Sequence, residues 1–157
     1  MVIVMDHKTI AIDGLRHAFE VYVKDLEALP EDAIIKSPGG KARTVADFTY
    51  EVIEVNDKLC AVMRGEETGP WPEGWTVAPD HLNSKSALIE AFRAAADRTL
   101  AVAESYDESG MTEPIEGPRG PTTRFQRFQF MSMHTMYHCA QVNYVQCLMG
   151  DDAWHWG

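Results

Sequence analysis

The stretch from residue 123 to residue 150, TRFQRFQFMSMHTMYHCAQVNYVQCLMG, decides how this chain folds. It holds no proline and meets its first glycine only at Gly150. Proline costs about 3 kcal/mol inside a helix and glycine about 1, so their exclusion leaves the run free to stay helical. Thr123-Arg-Phe-Gln126 matches a capping box, in which the first side chain and the fourth satisfy each other's backbone N–H groups. Gly150 is a natural stop. The spacing predicts one helix near residues 122–149, with Phe130, Met131, Val145, Leu148 and Met149 along its apolar face.

Working outward, proline placement divides the rest. All eight prolines fall in three stretches: Pro30 and Pro38; Pro70, Pro72 and Pro79; Pro114, Pro118 and Pro121. Between them the spacing predicts helices near 6–29, 44–64 and 83–105. Ile12, Leu15, Phe19, Tyr22, Val23 and Leu26 form the stripe of the first. Phe48, Val52, Val55, Leu59 and Val62 form that of the second, which opens on the cap-like Thr44-Val-Ala-Asp47. The third is alanine-rich, with Leu88, Ala91, Phe92, Ala95 and Val102 on one side. The connections 65–82 and 106–121 exceed the usual helix–helix loop of about 2–8 residues. An all-α four-helix bundle with long crossover connections follows. The 65–82 loop carries Trp71 and Trp75, and large aromatic surface is seldom left wholly in water, so it should fold back over one end of the bundle.

Composition bounds the function. The 157 residues suit a single domain, 1–157, with 45% apolar and 24% charged residues. Fourteen Lys+Arg against 24 Asp+Glu leave a formal −10, which opposes a nucleic-acid or anionic-membrane partner. Arg119, Arg124 and Arg127 are the one small basic gathering, near the start of the last helix. Cys60, Cys139 and Cys147 are odd in number and suit a reducing cytoplasm. The opening MVIVM lacks the basic flank and length of a signal peptide, and no apolar run reaches the span a membrane helix needs.

The chemistry sits in His134-Thr-Met-Tyr-His138 and Gln141. At about 100° per residue all three share the inward face of the last helix. Imidazoles at i and i+4 can hold one metal ion between them. His-xxx-His is a weak pattern, and spacing alone fits better two core histidines satisfied by hydrogen bonds or water. Glu51, at the edge of the second helix's stripe, is a third donor or else part of a solvated acidic edge with Asp47 and Glu54. Those two carboxylates would in either case draw a cation toward the second helix. His7 and His17 fall on the polar side of the first helix, and His81 sits in the tryptophan loop. Cys139 points away from the histidine face. Trp154-His155-Trp156 is aromatic enough to pack on the bundle or on a partner.

Two runs also carry a family resemblance. MHTMYHCAQVNYVQCLMG resembles the closing motif of the DinB/YfiT-like superfamily, a His-xxx-His helix with a following Gln and a short apolar stretch to Gly. RTVADFTYEVIEVND is similar to that superfamily's second helix, where a metal-ligand histidine stands seven residues past a Ser/Thr-rich start. Glu51 occupies that place here. The resemblance implies an up-down-down-up bundle, a divalent metal (zinc or nickel) between the second and fourth helices, and homodimers. The implied ligands are Glu51, His134 and His138. It also implies a small-molecule enzyme, with thiol-dependent S-transfer or isomerisation among the superfamily's reactions. A metal-dependent hydrolase fits the same donors. The competing reading is a non-catalytic dimeric bundle whose metal is structural or whose histidines are only core. Tyr137 and the Trp71–Trp75 loop are candidates for a nearby hydroxyl and a pocket wall.

Overall fold

The computed structural model describes residues 5–117 and 120–157. Most of MVIVM, together with Pro118 and Arg119, lies outside the described residues. Four long helices carry the architecture: α1 His7–Ala28, α2 Val45–Met63, α3 Lys85–Glu104 and, after the short α4 Glu108–Thr112, α5 Arg124–Leu148. Each long helix opens on a side chain that accepts a backbone N–H: Asp6, Thr44, Ser84 and Thr123. Thr44/Asp47 and Thr123/Gln126 are complete reciprocal boxes. Such a cap contributes roughly 1 kcal/mol, and its position fixes where each helix begins.

Cross-helix contacts set the directions. Asp25 of α1 meets Cys139 of α5, and Gly14 faces Ser132, so these two helices run parallel. Arg16–Glu104 and Arg93–Glu27 make α1 and α3 antiparallel. Asp57–Arg98 and, one turn further along α2, Cys60–Thr99 advance together, so α2 and α3 are parallel. Glu51 of α2 approaches His134 and His138 in the antiparallel sense. The bundle is therefore up-down-down-up, with α1 diagonal to α2 and α3 diagonal to α5. Its core holds Leu15, Tyr22, Val52, Leu88, Phe92, Phe128 and Met131. Tyr22 stacks on Phe92 at 4.5 Å while its hydroxyl reaches Thr49 at 2.9 Å. A fully buried side chain of this size contributes roughly 1.5–3 kcal/mol.

A parallel α2–α3 pair requires a connection that returns the full length of α2. Lys58 Nζ donates to the Pro70 carbonyl, and Ala78 N–H to Asp47 near the start of α2. The tryptophan loop thus lies along the flank of α2, not over one end of the bundle. Trp71 and Trp75 stay 46% and 74% exposed, held by Lys58 and Arg43 over their rings. A cation over an indole face retains these aromatics without burying them. The second long connection contains α4 and a two-residue antiparallel pair, β1 Pro114–Ile115 with β2 Thr122–Thr123.

The expected apolar face of α5 needs one correction. Met131 and Val145 are buried, but Phe130, Leu148 and Met149 are exposed. Wedged between α1 and α2, α5 buries polar Thr135, His138 and Gln146 along with Phe128 and Val142. Leu148 and Met149 fall in the final turn of α5, where the helix ends. Phe130 is displaced toward α2, where it lies flat against His134.

Candidate metal centre

Antiparallel packing of α2 on α5 brings Glu51 between His134 and His138. Their donor atoms lie within 4.8 Å of one another. His134 Nε2 is 3.2 Å from His138 Nε2, and each is 3.6 Å from Glu51 Oε1. Of the other histidines, His7 pairs with Glu108 while remaining exposed, His17 and His81 are exposed, and His155 pairs with Asp151. None joins this cluster among the described residues.

Surrounding groups fix how the three donors present themselves. His138 is buried, and its Nδ1–H donates to Gln141 Oε1 at 2.8 Å, one turn on. A ring that donates from Nδ1 keeps a lone pair on Nε2, and that nitrogen points into the cluster. Phe48 stacks on His138 at 5.6 Å and Phe130 on His134 at 5.7 Å, so neither ring turns freely. Arg43 holds Glu51 through the other carboxylate oxygen, Oε2, leaving Oε1 turned toward the imidazoles. Trp75 braces Arg43 from its far side at 4.4 Å. Sequence reasoning missed Arg43, because a loop residue preceding the helix cap carries no pattern that predicts its reach.

Electrostatics favour two neutral bases and one anion. Burial pushes His138 down to about 4, with His134 adding to the effect, and burial lowers His134 as well. Burial also opposes ionisation of Glu51, but the hydrogen bond and charge of Arg43 outweigh it and hold that carboxyl below its ordinary value. Asp47 and Glu54, expected to crowd the site, are engaged elsewhere. Asp47 caps α2, and Glu54 accepts from the Tyr50 hydroxyl. Tyr137 sets its ring edge on His138 at 5.0 Å and is otherwise exposed. Cys139 faces Asp25 on the opposite side, and burial raises its thiol far above the ordinary value, which removes it as a nucleophile.

An open cleft of about 510 Å³ lies against the cluster, lined by Glu51, His134, Val55, Leu59, Trp71, Phe130 and Arg127. Trp71 is the part of the long loop that walls it; Trp75 serves Arg43 instead.

A sequence profile described as the DinB superfamily matches residues 11–142, which run from α1 through both histidines. The chain belongs to the DinB superfamily. No curated protein matches it. A conserved protein from Enterococcus faecalis superposes with a TM-score of 0.73 at 15% identity, covering 94% of this chain and 100% of its own. A DinB-like protein from Bacillus subtilis does so at 0.70 and 12% identity, covering 92% and 94%. At such identities the shared property is the fold. In this DinB-superfamily chain the candidate second-helix donor is Glu51, held by Arg43 and beside the His134/His138 pair.

Proposed function

We propose that this DinB-superfamily chain is a divalent-metal-dependent enzyme acting on a small molecule, with zinc or nickel held by Glu51, His134 and His138. The carrying observation is the donor triangle. Sides of 3.2, 3.6 and 3.6 Å put a point about 2.0 Å from all three atoms, the distance at which zinc takes imidazole and carboxylate ligands. Gln141 and Arg43 supply the outer contacts that orient ligands in metal sites.

Three protein donors leave coordination positions open, whereas structural zinc sites are closed by four. An ion so held would acidify a thiol or water near neutral pH and polarise an electrophile. The chain's own part is to present two neutral imidazoles and one anion, and to wall the approach with Phe130 and Trp71. We favour thiol-dependent S-transfer or isomerisation, with hydrolysis as the alternative. We further propose that residues 1–157 act as one domain in the cytoplasm and pair as a homodimer. Support for pairing comes from Met133, Tyr137, Tyr144 and Leu148, exposed and spaced along one side of α5.

The test compares zinc- or nickel-loaded protein with chelator-treated protein. Glutathione and cysteine with monochlorobimane read S-transfer, and p-nitrophenyl acetate reads hydrolysis. Turnover only in the loaded form is expected. Equal rates in both forms refute metal-dependent catalysis. Stoichiometric metal without turnover of any of these probes favours the structural-metal bundle.

A further inference from the structure

The cleft beside the donor triangle has a charged far end that the metal reading does not use. Arg16, Arg43, Arg64, Arg93, Arg98 and Arg124 each reach a carboxylate. Arg127 is half-buried and makes no ion pair or side-chain hydrogen bond with the described residues. In a chain with ten more acids than bases, a guanidinium without a carboxylate among the described residues is conspicuous. Room for it is built in: a side chain at Gly117 would collide with Arg127 Nη2. Among the described residues, Arg127 is the one cation lining the cleft that also holds Glu51 and His134.

Position defines what would fit. Arg127 precedes His134 by seven residues, two turns of α5, so their Cα atoms lie about 10 Å apart on one face of the helix. Between them the walls are apolar: Phe130, Val55, Leu59 and Trp71. Trp71 is held in place by Lys58, 4.5 Å from its ring centroid. A volume of about 510 Å³ is within the range of small-molecule sites, roughly 300–1,000 Å³.

We infer that this cleft binds an elongated organic carboxylate, its anionic end on Arg127, its apolar or aromatic body between Trp71 and Phe130, and its far end at the donor triangle. The inference names a substrate class for the proposed enzyme, so its catalytic meaning rests on that reading. The binding itself does not, since Arg127 is not among the donors. A planar guanidinium recognises carboxylate through paired N–H donors, and partial burial strengthens that contact. The carboxylate can belong to the electrophilic acceptor or to a thiol cosubstrate; both present the same chemistry to Arg127.

The experiment titrates 4-phenylbutyrate and its neutral analogue 4-phenyl-1-butanol into zinc-loaded and chelator-treated protein, following tryptophan fluorescence and heat. Wild type is expected to bind the carboxylate at least tenfold tighter than the alcohol in both forms. Arg127→Gln should erase that preference while leaving bound zinc and melting temperature unchanged, and Arg127→Lys should keep part of it. Glutathione in a third arm separates the sources: an Arg127-dependent affinity for it places the anion on the thiol, and its absence places it on the acceptor. Absence of saturable binding by 4-phenylbutyrate overturns the inference, as does equal binding of acid and alcohol, or a preference that survives Arg127→Gln. If zinc does not bind but the Arg127-dependent preference persists, the metal reading fails and this one stands.

Discussion

Asp25 and Glu51 meet α5 from opposite sides, Asp25 on α1 and Glu51 on α2, and their surroundings differ in one respect. Asp25 is wholly buried, and both of its oxygens are engaged by neutral donors: Cys139 S–H at 3.2 Å and Trp156 Nε1–H at 3.0 Å. Glu51 has one oxygen held by Arg43 and the other facing two imidazoles across 3.6 Å, with a cleft beyond. A carboxylate whose donors are all supplied by the fold is a structural element. One whose second oxygen faces two imidazoles beside a cleft stands where candidate metal-donor atoms converge. α5 meets both carboxylates, and only the one beside His134 and His138 borders the cleft.

The comparison breaks most sharply at Asp25. Asp25→Ala strands the Cys139 thiol and the Trp156 indole N–H, and should cost about 2–4 kcal/mol in denaturant unfolding without lowering metal content. A larger loss of metal than of stability would show that the two faces are not separable.

The Glu51 side should reveal itself through pH in the metal-free protein. His138 and His134 titrate lower folded than unfolded, so the unfolded chain binds more protons between the two values. Stability is then fully present above about 6.5, the unfolded histidine value. It declines as pH falls toward about 4, the folded value of His138. Arg43 and Glu51, the charged groups facing the pair, act in opposite directions on it. His138→Gln should flatten the decline in urea titrations at stepped pH, and an unchanged slope would contradict the burial argument.

Arg43→Met leaves Glu51 unanchored and exposes the donor triangle to rotation. Zinc affinity should fall about 10–100-fold, the usual effect of removing an outer contact to a ligand, read by chelator competition. Tighter binding would mean that the guanidinium's charge repels the ion more than its hydrogen bond orients Glu51.

The smallest effect is expected at the tail. Trp156→Phe removes one donor to Asp25 but keeps an aromatic ring near His17, and should cost about 1 kcal/mol.

How far the sequence reaches differs between these two carboxylates. Helix limits were legible, because prolines and the Thr44 and Thr123 caps are local chemistry that survives folding. The convergence of Glu51 on His134 and His138 was legible through the spacing from Thr44 and the family resemblance. Asp25 carried no signal: an acid near a helix stripe reads as a solvated edge until α5 and the C-terminal Trp156 close over it. Arg43 was equally hidden, since a residue ahead of a helix cap carries no pattern for its reach to Glu51, and the course of the Trp71–Trp75 loop shows only in its contacts along α2. Phe130 misled because periodicity finds an apolar face without saying whether it meets a helix or a cleft.

Elemental analysis of purified protein, expressed with zinc and nickel supplied and checked for helicity by circular dichroism, tests the central claim most directly. The account predicts about one divalent ion per wild-type chain, with His138→Ala and Glu51→Ala each folded and depleted of it. A wild-type chain without metal, or the same content in both folded variants, would contradict it.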